Sequence, residues 1–199
     1  MNIIIASDIF GMTPSLNKFV KKLAKQAQVA IIDPYHGEQV NFKNEEQAYQ
    51  AFIDEGGMDA YTLQLQNILT YIEQPVVLIG FSAGASALWR LIDKPLGLAA
   101  VHFIGFYPGQ IRHYLEVIPH VPTTLLMPKH EQHFDINEII AKLPKSELLS
   151  ISQFNLEHGF MNNQSPGFNS KACVAFEQLI SDTKLVANPG AFRAKKPSI

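Results

Sequence analysis

The chain has 199 residues, 47% of them hydrophobic and 17% charged, with a formal net charge of −2. A chain of this length is most simply one domain with a sizeable core, and its near-neutral balance argues against a nucleic-acid binder, which would present a basic face. No apolar run approaches the ~20 residues needed to cross a bilayer. No basic segment precedes the first apolar residues, and the lone Cys173 cannot form an intrachain disulfide. A cytoplasmic protein without membrane association is therefore expected.

Asn2–Ala6 is the first expected strand, and it leads into Ser7-Asp8-Ile9-Phe10-Gly11. After Thr13-Pro14, a favoured helix start, Leu16, Phe19, Val20, Leu23, Ala24 and Ala27 recur at three-and-four spacing. The lysines at 18, 21, 22 and 25 read as the solvated face of that helix. Val29–Asp33 is the next strand. The 41 residues between Asp33 and Pro75 exceed a single crossover. They hold two helical stretches split by Gly56-Gly57, the second marked by Tyr61, Leu65, Ile68, Leu69 and Ile72, so 34–75 is expected to form a small cap. Strands over Val76–Gly80, Ala99–Gly105, Thr123–Met127 and Leu148–Gln153 follow. The intervening helices are marked by Ala87, Leu88, Leu91 and Ile92, then by Ile136, Ile139, Ile140 and Leu143. Ala172, Phe176, Leu179 and Ile180 mark the last helix, which places Cys173 as a buried helical residue.

These strands are continuous apolar runs rather than alternating ones, as expected for strands buried on both faces. Alternation of strand and helix without hairpins predicts an α/β fold, a mainly parallel doubly wound sheet of about six to seven strands flanked by helices. One domain over 1–185 is expected, with 186–199 as a C-terminal tail.

The segment Pro75-Val-Val-Leu-Ile-Gly80-Phe81-Ser82-Ala83-Gly84-Ala85 carries the chemistry. It reads as a buried strand, Gly-x-Ser-x-Gly and a helix. A sharp strand-to-helix turn exposes the serine at the end of the sheet, and small residues at 80 and 84 let strand and helix pack closely. A serine hydroxyl needs a base to take its proton and an acid to orient that base. In this order of elements the acid and the histidine follow later strands. His158 lies just past the last strand and is the expected base. His36, His102, His113 and His120 fall at the wrong places in the order, and the spacing of His130 and His133 finds no converging ligand set, so no metal site is expected.

Two residues compete for the acid. Asp135 precedes an apolar helical pattern and has Glu138 three residues on, a capping-box-like start. Glu131 has no such duty and is favoured, with Asp135 as the alternative. The oxyanion hole is expected from the N–H of Ala83 and that of Ile9 in the first loop. Asp8, Tyr35, His36, Phe81, Tyr107 and Phe160 are the expected pocket walls.

Together these residues resemble the dienelactone hydrolase family of α/β hydrolases over most of the chain. Ile4-Ile5-Ala-Ser-Asp8-Ile-Phe-Gly11 is similar to the family's Glu-x-Phe-Gly segment. Ile32-Asp33-Pro-Tyr35, Gly80-Phe-Ser-Ala-Gly84, Phe106-Tyr107-Pro-Gly109, Glu131 and His158-Gly-Phe160 follow in the family's order. The departures are specific. Where the founding enzymes have a cysteine nucleophile, this chain has Ser82, and the family's first-loop glutamate is the shorter Asp8, which either orients the pocket or caps the loop. The usual aspartate acid is replaced by Glu131. The family's two carboxylate-binding arginines have no counterpart: no arginine lies between 34 and 75, and the position four residues after His158 is Asn162. Arg112 is assigned no role, and dienelactone itself is not the expected substrate.

The resemblance and the residues imply a serine hydrolase acting on a small-molecule carboxylic ester or thioester, without metal or organic cofactor, as a monomer or small homo-oligomer. The rival readings are a non-catalytic binding protein of the same fold, and an acyltransferase or peptidase using the same triad.

Overall fold

The computed structural model describes residues 2–93 and 100–181. The expected tail over 186–199 lies outside the described residues. Six strands, β1 (Asn2–Ala6), β2 (Gln28–Ile32), β3 (Val76–Phe81), β4 (Ala100–Phe106), β5 (Thr123–His130) and β6 (Leu149–Glu157), form one sheet in the order β2-β1-β3-β4-β5-β6. Every adjacent pair is parallel. The helices are α1 (Pro14–Leu23), α2 (Glu45–Asp54), α3 (Gly57–Leu69), α4 (Ala83–Trp89), α5 (Ile136–Lys142) and α6 (Ser170–Ser181).

Side chains alternate sides along a strand, and here both sides are apolar. Ile3, Ile5, Val77, Ile79 and Phe81 face Phe19 and Leu23 of α1 and Phe176 and Ile180 of α6. Ile4, Ala6, Val76 and Leu78 face Tyr61, Leu65 and Leu69 of α3, with Leu88 and Trp89 of α4 and Ile136 and Ile139 of α5. This double burial explains the unbroken apolar runs in the sequence. Two helix starts are capped by side chains: Thr13 Oγ1 accepts from the Leu16 N–H at 3.1 Å, and Asn44 Oδ1 from the Gln47 N–H at 2.9 Å. Among the described residues no helix is long and apolar enough to cross a membrane.

The chain runs from β1 outward to β2, then back past β1 to β3. The order reverses between β1 and β3, and in open parallel sheets the crevice at such a switch point, beyond the strand ends, is where ligands bind. Two strands run furthest past their expected ends. β5 continues past Pro128 to His130, with a register irregularity between Pro128 and His130, because proline lacks one ladder donor but does not stop the strand. β6 runs to Glu157. It is an edge strand of the sheet, and its second half alternates buried and exposed residues, which a search for dense apolar runs overlooks.

Candidate active site

Ser82 is the single residue between β3 and α4, and its backbone stands at φ 47°, ψ −107°. Positive φ is costly for a residue with a side chain. The turn is held by the Ser82 N–H donating to the Phe106 carbonyl at 2.9 Å and by the Ser86 hydroxyl donating to the Ser82 carbonyl at 2.9 Å. The flanking glycines are required by space. A Cβ on Gly80 would lie 2.4 Å from Ala85 Cα, and one on Gly84 would lie 2.4 Å from the carbonyl oxygens of Ala6 and Ser7. Gly84 therefore lets the start of α4 rest directly on the end of β1.

Glu131 and His158 are likewise the first residues beyond β5 and β6. The parallel sheet thus delivers three side chains to one end. Ser82 Oγ lies 2.8 Å from His158 Nε2, and His158 Nδ1 lies 2.8 Å from Glu131 Oε1. The Glu131 side chain is 8% exposed, so its charge is shielded from water on one side of the ring. Asp135 is elsewhere engaged: its carboxylate accepts from the Asn137 N–H at 2.8 Å and caps α5. The ring of Tyr107 stands edge-on to the His158 imidazole at 5.1 Å between centroids.

Ser82, Ala83, Ile9, Glu131 and His158 all line a cleft of about 780 Å³. Ala83 opens α4, so its N–H has no acceptor within the helix. The carbonyl of the Asp8–Ile9 peptide accepts from the Gly11 N–H at 3.1 Å and from the Ser7 hydroxyl at 3.0 Å. Because the peptide is planar and trans, binding its oxygen on one side directs the Ile9 N–H to the other. The opposite wall comes from α2 and the start of α3, through Glu45, Glu46, Tyr49, Phe52 and Met58. Arg112 and Phe134 form a further wall. The Arg112 guanidinium lies 4.8 Å from the Phe134 ring centroid and donates to the Gly109 carbonyl at 2.8 Å.

None of the six expected pocket walls lines this cleft. Tyr35 is buried beneath the first loop, its hydroxyl donating to the Ile9 carbonyl. His36 is exposed and contacts Gln64 at 3.3 Å. Phe160 is fully buried against Phe106, Tyr107 and Phe176. Asp8, Phe81 and Tyr107 line a separate, smaller cavity of about 30 Å³. The physical reason is common to the aromatic residues: next to the motifs, large rings pack inward under the site, while the cleft walls come from elements remote in sequence. Tyr49 and Phe52 lie on α2, where helical spacing alone does not separate a cleft wall from core. Phe134 and Arg112 carried no pattern.

A pairing also escaped the sequence. Asn162 Nδ2 donates to Asp8 Oδ2 at 2.7 Å in a buried bond across 154 positions. Burial pushes the Asp8 carboxyl up to about 6, against the bonds from Asn162 and the Phe10 N–H, which favour its charged form. Among the described residues, no group of three or more His, Cys, Asp and Glu side chains is arranged to hold a metal ion.

A parallel sheet covered on both faces, with a serine on a strained strand-to-helix turn at the strand ends, defines the α/β-hydrolase fold. Within that class the match is specific: the model of the dienelactone hydrolase family covers residues 1–182. A Bacillus subtilis (strain 168) relative, uncharacterized protein YczH, is 30% identical over 173 residues, covering 84% of each chain. Solved structures show the same fold at lower identity. A candidate dienelactone hydrolase from Klebsiella pneumoniae subsp. pneumoniae MGH 78578 superposes with a TM-score of 0.66 at 11% identity, covering 98% of this chain and 87% of that one. The dienelactone hydrolase of Anabaena variabilis ATCC 29413 gives 0.56 at 16%, covering 93% and 85%. The chain belongs to the dienelactone hydrolase family, a family of hydrolases.

Proposed function

We propose that this hydrolase cleaves a small carboxylic ester or thioester through an acyl-enzyme on Ser82. The observation that carries the reading is the continuous chain Glu131–His158–Ser82, with 2.8 Å at both links, opening into the cleft. His158 Nε2 takes the Ser82 proton as Oγ attacks the carbonyl carbon. The ring then carries a positive charge, stabilised by the Glu131 carboxylate at Nδ1. The oxygen of the tetrahedral intermediate is held by the N–H groups of Ile9 and Ala83, in a site where removing one such donor ordinarily costs roughly 10²–10³ in rate. His158 passes its proton to the leaving alkoxide or thiolate, the C–O or C–S bond breaks, and the acyl group stays on Oγ. Water, deprotonated by His158, releases the acid by the same steps in reverse order. The cleft is in the size range of small-molecule sites, about 300–1,000 Å³. Tyr49, Phe52 and Phe134 offer apolar surface to an acyl or alkyl group.

Rapid mixing with p-nitrophenyl acetate and with a short acyl thioester tests this. The expected result is turnover, with a burst of one leaving group per chain when deacylation is slow, and loss of both in a folded Ser82→Ala variant. Turnover that survives Ser82→Ala removes the serine mechanism. No turnover of any acyl ester or thioester by the folded protein removes the hydrolase reading at this site and favours the binding-protein alternative.

A further inference from the structure

We propose, on the footing of the serine hydrolase reading above, that the buried Asp8–Asn162 bond is a positioning device that aims the Ile9 N–H at the substrate oxygen. The Ile9 N–H belongs to a short loop, and a loop amide is a useful oxyanion donor only if its direction is fixed before the reaction. In this loop the direction is fixed from both flanks. One flank is the Asp8 carbonyl, held by Gly11 and Ser7. The other is the Ile9–Phe10 peptide: its N–H donates to Asp8 Oδ1 at 3.0 Å, and its oxygen accepts from the Tyr35 hydroxyl. The Asp8 side chain therefore closes the loop on itself through Oδ1. Its second oxygen, Oδ2, accepts from Asn162.

Asn162 belongs to the turn that follows His158. Its N–H donates to the Gly159 carbonyl at 2.9 Å, its own carbonyl accepts from the Ser165 N–H at 3.0 Å, and its Oδ1 accepts from the Gln164 N–H at 2.9 Å. Asn162 is 7% exposed and Asp8 8%, so the bond between them is shielded from water. One buried hydrogen bond thus ties the loop carrying the oxyanion donor to the loop carrying the base. A carboxylate buried for packing alone would be an expensive choice. Its cost is explained if the geometry it enforces is needed in the transition state.

The bond can be cut and remade. Asp8→Asn leaves two amide NH₂ groups facing each other, and Asn162→Asp leaves two carboxylates. Combined, the two changes restore every contact with the roles exchanged. Asn at position 8 accepts from the Phe10 N–H and donates to Asp at position 162, whose other oxygen accepts from the Gln164 N–H. The assay is steady-state hydrolysis of p-nitrophenyl acetate and of its thionoester analogue, whose sulfur is a poor acceptor from an oxyanion-hole donor. Each single variant is expected to lose roughly 10- to 100-fold in kcat, below the ceiling for losing a donor outright, with KM within about three-fold. The ratio of oxoester to thionoester rates should shrink in each single variant. The double variant should recover both kcat and that ratio to within about five-fold of the unmodified chain, a coupling that non-interacting sites do not show.

Folded single variants with unchanged kcat would overturn the proposal, as would a double variant whose losses merely add. Loss of kcat with an unchanged oxoester-to-thionoester ratio would also overturn it, since that is a structural effect alone. If a single variant does not fold, the double variant decides by the same ratio. Failure of the serine reading is visible separately, as absence of Ser82-dependent turnover in the unmodified chain.

Discussion

Replacing Glu131 by Gln removes one negative charge and little else. The carboxylate is 8% exposed and lies 2.8 Å from His158 Nδ1; in the mechanism proposed above it holds the ring in one tautomer and stabilises the imidazolium formed when Ser82 loses its proton. Replacing such an acid by its amide typically lowers kcat by about 10³–10⁴, or about 4–5.5 kcal/mol in the barrier. Asp135→Ala is the matched control. Asp135 accepts from the Asn137 N–H at 2.8 Å at the start of α5, so its loss should cost about 1 kcal/mol of stability, some 2–4 °C in Tm for a chain of this size, and leave kcat within about two-fold. The assay is p-nitrophenyl acetate hydrolysis on both variants, with thermal denaturation on the same samples. A folded Glu131→Gln variant with kcat near that of the unmodified chain would refute the reasoning. So would Asp135→Ala losing several powers of ten while keeping its Tm.

Three other outcomes are expected. Gly84→Ala should be costly, because its Cβ meets two backbone oxygens at 2.4 Å that no rotamer change can move; a Tm drop of several degrees and lowered kcat are expected, and an unchanged Tm would contradict the close packing of α4 on β1. The Asp8 carboxyl titrates at about 6 folded against 3.8 for the free group, so the folded state holds its proton more tightly and Asp8's contribution to stability falls as pH rises. Measured by urea denaturation, the stability of the unmodified chain minus that of Asp8→Asn should fall by about 2 kcal/mol between pH 4 and 6.5 and then level off; a flat or rising difference would mean that Asp8 is not desolvated. Cys173 is half-buried and its thiol is pushed up to about 12 by burial and by Glu177, so iodoacetamide at pH 7 should react slowly and leave activity intact, and inactivation of a folded Cys173→Ala variant would overturn the structural role.

How much of this was legible in the sequence varies by residue. The elbow was legible because space dictates it: only glycine fits at 80 and 84, and that constraint prints itself on five consecutive positions. The contact of His158 with Ser82 followed from chain order, since a parallel sheet brings successive strand ends to the same edge. Glu131 and Asp135 could be separated because capping leaves its own signature, the Asp135–Glu138 spacing, which assigned one carboxylate to a helix start. The cleft walls were not legible. Tyr49 and Phe52 face the site because α2 folds across the strand ends, and nothing in their helical spacing distinguishes a cleft from a core. The rings beside the motifs misled for the opposite reason: sequence proximity suggested contact with substrate, but Phe160 packs into the layer beneath. The Asp8–Asn162 bond joins residues 154 apart, each unremarkable alone, and only the three-dimensional closure of the two loops reveals it.

The central claim is that Ser82 is activated by His158, and its most direct measurement is intact mass after exposure to a fluorophosphonate, followed by peptide mapping of the adduct. One adduct per chain on Ser82, absent from a folded His158→Ala variant, is the result expected of the 2.8 Å Ser82–His158 contact. A folded, unmodified chain that takes up no adduct, or takes it up on another residue, would contradict it.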